Sequence, residues 1–217
     1  METRTTTLDA TCVQVFGKIS AAVSHDLKNV LAIVNESAGL LDDLALRAAK
    51  GIEIPPERLN TATARILKQV KRGDAVLKNL NRFAHSTDVE VAQINVTEMV
   101  GLMVELAGRQ AAMKELECTV IAAEVMLRTG VVYLESLFYL LLRQVIDTLP
   151  RREGVAITVS EEGDMVLLSL RSDSGLEMLP ADGSPGAQEE ALLHWLGATL
   201  SLVAGGVELR LPAQSVR

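Results

Sequence analysis

The 217 residues are 48% apolar, 23% charged and only 3% aromatic, and the net charge is −7. That length suits one large or two small domains, and the composition excludes a disordered or fibrous protein. The acidic balance, with basic residues interspersed along the chain, speaks against nucleic acid or an anionic membrane as partner, and no apolar run approaches the roughly 20 residues that span a bilayer.

From Leu8 to Lys50 apolar residues recur at Phe16, Ile19, Val23, Leu27, Val30, Val34, Leu41 and Leu44, and the small Ser37 and Ala48 complete steps of three and four. That is the period of a helix paired in a bundle. Thr7 or Asp9 can cap its start. Gly51 offers a left-handed terminus, and Pro55 and Pro56 stop one helix and pre-set the next. The second helix carries Leu59, Thr63, Ile66, Val70, Gly73, Leu77, Leu80 and Ala84 in the same alternation, widened by Ala62, Leu67, Val76 and Phe83. Two such helices and a short loop make an antiparallel hairpin. A lone hairpin leaves part of its apolar stripes wet, so the expectation is a homodimer whose hairpins form a four-helix bundle. Symmetry about the loop brings the segment from Asn79 to Arg82 alongside His25.

After residue 90 the character changes, which divides the chain into a helical domain (1–90) and an α/β domain (91–217). VEVAQINV reads as a strand, and Thr97 then caps a helix to about Met113. CTVIAAEV reads as a strand rich in β-branched residues. Residues 131–149 are apolar nearly all round, the mark of a buried helix, and Pro150 ends it. VAITVS and MVLLSLR form a hairpin through EEGD. The loop PADGSPG, a helix from about Gln188 to Leu200 and a last strand around GGVELRLP complete one sheet covered by helices. Cys12 and Cys118 stand alone, with neither a disulfide framework nor zinc-site spacing, and the first residues lack a signal peptide's apolar core. A cytoplasmic protein is expected.

The segment SAAVSHDLKNVLAIV holds the residue best suited to chemistry. Val23 and Leu27 bracket His25 on the buried stripe, so the imidazole points outward, with Asn29 one turn along on the same face and Asp26 beside it. An unperturbed imidazole titrates at about 6.5 and is largely neutral at pH 7, so its ring nitrogen can take a phosphoryl group. Asp26 can orient the ring or accept a proton, and the Asn29 amide can orient a water. His85 and His194 need no chemistry: the first suits a helix C-terminus, the second a packed or half-exposed place beside Trp195.

H-D-L-K-N on the first helix of a hairpin, followed by a small α/β domain, resembles a two-component sensor histidine kinase. The family motif, His, then an acid, then two residues, then Asn or Thr, matches His25, Asp26 and Asn29, and the family's usual Pro is Val30 here. The resemblance implies a dimerisation and phosphotransfer hairpin followed by an ATPase-like domain. By analogy His25 is the phosphoryl acceptor, Asp26 its acid/base neighbour and Asn29 the residue that positions water. It also implies receiver docking between the histidine and the loop, over Lys28, Ala32, Asn35 and Glu36 on the first helix and Arg65, Gln69 and Arg72 on the second, with Arg82 near the transferring group.

The kinase's nucleotide site is degenerate. Leu140 and Gln144 stand where the family has magnesium-binding asparagines. RSDSGLEM keeps Asp173 and Gly175 but puts Glu177 at the second glycine, and the loop from Pro180 to Gly186 is short for a lid. With neither GxGxxG nor GxxxxGK[ST] elsewhere, triphosphate has no electrostatic cradle. The combination resembles the kinase-like bacterial histidine phosphotransferases. The expectation is therefore phosphate transfer between response-regulator receivers through His25, with no cofactor bound by this chain and magnesium held by the receiver. The alternatives are a receiver phosphatase acting through Asn29, a non-catalytic dimeric scaffold that binds a receiver, and a divergent ATP-dependent autokinase.

Overall fold

A computed structural model describes residues 2–174 and 186–213, apart from the side chains of residues 2–7 and Ala122. The expectations for Gly175, Glu177 and the loop after Pro180 lie outside the described residues. The chain forms two compact units, one of residues 20–81, the other of residues up to 19 together with those from 82 onward.

Two helices make the first unit, α1 (Glu2–Ala49) and α2 (Pro56–His85), each of which also runs into the other unit. Thr7 and Asp9, the expected caps, lie inside α1, which is already helical at Glu2. Its far end is as expected. Gly51 takes φ +76°, and the amides of Lys50, Gly51 and Ile52 bond back to Arg47 and Ala48. Pro56 opens α2, where a missing amide costs nothing.

Within this unit Val23, Val30, Ser37 and Leu44 of α1 are buried, as are Ala62 and Gly73 of α2. A methyl at Gly73 would stand 3.3 Å from Val30 and 3.8 Å from Leu27, so glycine lets the helices approach there. Arg65 reaches Glu36 at 3.7 Å.

The second unit is an α/β layer. A two-stranded antiparallel ribbon joins β1 (Ala92–Asn95) to β3 (Met126–Thr129), and a five-stranded sheet has the order β2-β4-β5-β7-β6. Its strands are β2 (Glu117–Ala122), β4 (Gly154–Glu162), β5 (Met165–Arg171), β6 (Thr199–Val203) and β7 (Gly206–Pro212), and β2 with β4 is the one parallel pair. Helices α3 (Val96–Met113), α4 (Val131–Thr148) and α5 (Ala187–Leu196) supply the cover. Alternate residues Val155, Ile157 and Val159, then Val166, Leu168 and Leu170, then Val207, Leu209 and Leu211 are buried, as the period of two requires. On α4, Leu134, Leu137, Phe138, Leu141, Leu142 and Val145 are buried on every side.

Three boundaries differ from the sequence expectation. Asn95, not Thr97, caps α3, its Oδ1 accepting from the amides of Thr97 and Glu98. CTVIAAEV is not one strand, because the chain leaves the sheet after Ala122 and enters the ribbon at Met126. The last helix stops at Leu196, where Gly197 adopts φ +62° and caps it, and residues to Leu200 begin an edge strand. A left-handed glycine ends a helix whatever apolar pattern follows it.

The first turns of α1 belong to this second unit. Leu8, Thr11, Val15 and Ile19 are buried along one side. Gln14 accepts a 2.6 Å hydrogen bond from Gln188 at the start of α5, and burial raises the pKa of the Cys12 thiol.

Candidate phosphotransfer site on the hairpin

His25 is exposed on α1, as the bracketing by Val23 and Leu27 requires. The Asn29 amide nitrogen lies 3.2 Å from its Nδ1. The ring is thus held at its Nδ1 edge. An amide can donate through Nδ2 or, turned over, accept through Oδ1. The second orientation keeps the proton on Nδ1 and the lone pair on Nε2. Asp26 is half-buried, next around the helix.

Helical geometry sorts the hairpin's surface into two opposite faces. Leu27, Leu31, Val34, Ala38 and Leu41 line one flank of α1, and Leu59, Val70 and Leu77 line the matching flank of α2. Several of these are wide open: Leu31 is 65% exposed and Val70 54%. The other flank carries His25, Asn29 and Glu36 on α1 with Arg58, Arg65, Lys68 and Arg72 on α2, and the Arg65–Glu36 pair bridges it.

The remaining expected residues divide. Lys28, Ala32 and Asn35 are exposed on the back of α1, and Arg72 is exposed on α2. Gln69 is not at the surface expected of it. It points toward α1, half-buried, and its Oε1 has no hydrogen-bond partner among the described residues. Arg82 is held by Glu98 of α3 at 3.3 Å. Lys68 and Arg58 were missed. They are scattered in sequence, and only the heptad spacing of Arg58, Arg65 and Arg72, with Lys68 between, puts them in one row.

Leu140, Gln144 and Asp173, which the resemblance sets at nucleotide positions, are placed as follows. Leu140 is buried, and Gln144 donates from Nε2 to Glu189 at 3.0 Å, tying α4 to the start of α5. Asp173 lies past the end of β5, where with Glu117, Thr119, Arg171 and Gly205 it lines an open cleft of about 320 Å³. Among the described residues no group of His, Cys, Asp and Glu is arranged to hold a metal ion.

No family profile matches this sequence, and none of the curated proteins does. Solved structures do match. The Acinetobacter baumannii histidine kinase AdeS superposes with a TM-score of 0.52 at 12% identity, covering 88% of this chain and 98% of that one. The catalytic domain of histidine kinase ThkA superposes at 0.50 and 12% identity over 58% of this chain and 98% of that one. The chain has the fold of a histidine kinase. A longer ThkA chain, solved in complex with response regulator protein TrrA, superposes at 0.50 and 12% identity, covering 93% of this chain and 63% of that one. No described helix of this histidine kinase-like chain is long and apolar enough to cross a membrane.

Proposed function

We propose that this chain is a dimeric histidine phosphotransferase of a two-component phosphorelay, taking phosphate from a receiver-domain aspartate onto His25 and passing it to another receiver. One observation carries the reading: an exposed imidazole whose Nδ1 lies 3.2 Å from the amide one turn along the same helix. In the transfer the lone pair attacks phosphorus in line. The N–P bond forms as the P–O bond to the receiver's aspartate breaks, and that carboxylate leaves ionised. Donation to the second receiver is the reverse. This chain mainly contributes position, and Asp26 holds the ring or its proton.

Receivers as partners are supported by the fold and by the ThkA neighbour, which was solved with a response regulator. The homodimer is supported by the open apolar flank, since Leu31, Leu59, Val70 and Leu77 would all be covered by a second hairpin. Transfer without ATP is supported by the side chains at the family's magnesium positions. Leu140 offers no ligand atom, and Gln144, whose Oε1 has no hydrogen-bond partner among the described residues, is bonded through Nε2 to a buried carboxylate that would repel phosphate.

The test uses phosphorylated receivers from the same genome. The expected outcome is label on the wild-type chain, none on His25→Ala, and none from ATP alone. Labelling of His25→Ala, or of the wild type by ATP, overturns the proposal.

A further inference from the structure

We propose that the cleft on the helix-free face of the five-stranded sheet binds a small zwitterion of the α-amino acid type, its ammonium between Glu117 and Asp173 and its carboxylate on Arg171. This goes beyond the phosphotransfer reading and does not depend on it. Val155 and Ile157 of β4 and Leu168 and Leu170 of β5 are buried under the helices. Ala156 and Arg171, paired across the same two strands, therefore stand on the opposite face. The cleft opens away from Leu140 and Gln144, which belong to the helical layer.

The register of the sheet builds the cleft. Strand β2 sets Glu117 against Gly154 and Thr119 against Ala156, and β5 sets Arg171 against Ala156. Asp173 follows two residues past Arg171 and so comes to about the level of Gly154. Glu117 and Asp173 thus flank a glycine, their backbones about 10 Å apart, which is two strand spacings. A Cβ on Gly154 would meet nothing within 4 Å, so the floor between the two acids is open. Thr119, Ala156 and Arg171 form the next row, and Ala204 and Gly205 line the cleft beyond it. Its volume, about 320 Å³, suits a small molecule.

The charges select the occupant. Glu117, Arg171 and Asp173 are exposed and make no ion pair among the described residues. Ser172, 7% exposed, lines the same cleft, and its hydroxyl reaches Glu153 at 3.5 Å, longer than a well-formed O–H···O bond. Two carboxylates repel a phosphate or a nucleotide. A divalent cation takes about six to eight oxygen ligands, which two separated acids beside a guanidinium do not supply. Arg171 also repels the second charge of a diamine. One cation and one anion on the same molecule satisfy all three side chains. The ammonium donates to both carboxylates, and the guanidinium fork takes the ligand's carboxylate. The small Ala156 and Ala204 leave room for a short side chain.

The experiment titrates each common L-amino acid into the full chain by calorimetry. At least one is expected to bind with a dissociation constant below about a millimolar. Its N-acetyl derivative, which has no ammonium, and its amide, which has no carboxylate, bind about tenfold or more weaker. Glu117→Gln combined with Asp173→Asn, and Arg171→Gln by itself, each lower the affinity by about tenfold or more. Gly154→Val fills the floor and abolishes binding, while a strand-favouring side chain in open space leaves the sheet intact. Circular dichroism checks the fold of each variant, and His25→Ala binds as the wild type does. No binding by any amino acid, equal affinity for either derivative, unchanged affinity in Gly154→Val or in the double-acid variant, or binding of calcium chloride alone overturns the proposal.

Discussion

The Asn29 amide nitrogen stands 3.2 Å from Nδ1 of His25, one turn along the same helix. An exposed hydrogen bond of this kind is worth about 0.5–1.5 kcal/mol, which is roughly a twofold to tenfold preference for one ring orientation and tautomer. With the amide turned so that Oδ1 accepts from Nδ1–H, the lone pair stays on Nε2, and Asn29→Ala is then expected to lower the rate of phosphoryl acceptance by about that factor and to mix the tautomers. Long-range nitrogen–proton NMR spectra of the two proteins would read the second effect directly. Unchanged tautomer populations and an unchanged rate would show that the contact does not position the ring.

The apolar flank of the hairpin makes a separate prediction about assembly. Leu31 and Val70 stand on it in different helices, both more than half exposed in the single chain. Burying large aliphatic side chains stabilises by about 1.5–3 kcal/mol each, and a charge in their place faces a desolvation cost in any dimer. The wild type is expected to sediment as a dimer and Leu31→Glu combined with Val70→Glu as a monomer by sedimentation equilibrium. The intramolecular face of Val23, Val30 and Ala62 is untouched, so helix content persists. A double variant that sediments as the wild type does would place the dimer seam elsewhere.

The hairpin was legible in the sequence because its signals agree: long runs of threes and fours, a glycine and two prolines at the loop, and an outward histidine between a buried valine and a half-buried leucine. What was not legible follows from geometry in three dimensions. The basic row is invisible in the linear order, because residues seven apart become neighbours only once the helix winds. Gln69 has the composition of a surface residue and lies on the inner face, where polarity alone gives no warning. The β3 strand, MLRT, went unread because CTVIAAEVMLRT carries no turn residue between its two strands. The edge strand after Gly197 continues the apolar pattern of the helix before it, and only the left-handed glycine separates them. In the site, Asn29 was found by its spacing from His25, while the Gln144–Glu189 bond joins residues 45 apart that no local pattern connects.

That bond bears on nucleotide. In a site able to hold a magnesium triphosphate, the side chains facing the phosphates supply ligand oxygens and cations. Here Leu140 is apolar, and Gln144 donates from Nε2 to the buried Glu189, which sets a carboxylate where phosphate would stand and leaves the Gln144 Oε1 as the one side-chain oxygen of the pair. The expected outcome is no heat of binding when ATP and magnesium are titrated into the full chain at millimolar concentration. A dissociation constant well below a millimolar would overturn this reading of α4, whatever the behaviour of His25.

Glu135 gives the last prediction, from the other unit. It sits on α4 at 3% exposure, and its Oε2 has no hydrogen-bond partner among the described residues. Burial pushes its pKa from the ordinary 4.5 up to about 7, against the opposing pull of the Ser86 hydroxyl and the Arg82 guanidinium. The folded chain therefore holds this proton more tightly than the unfolded chain does. The stabilisation is fully present below pH 4.5 and is lost as pH rises through about 7. The displacement corresponds to about 3 kcal/mol at most. Glu135→Gln keeps the shape and removes the charge. It is expected to match the wild type at pH 5 to within about 1 kcal/mol, since a neutral amide replaces a neutral acid. At pH 8 it is the more stable of the two by up to about 3 kcal/mol, because the wild type then buries a carboxylate beside a guanidinium already shared with Glu98. Denaturant titrations of both proteins at the two pH values measure the difference. Parallel losses of stability with pH in wild type and variant would mean that Glu135 is not the group responsible, and that solvent or the Arg82 charge satisfies it in the folded state.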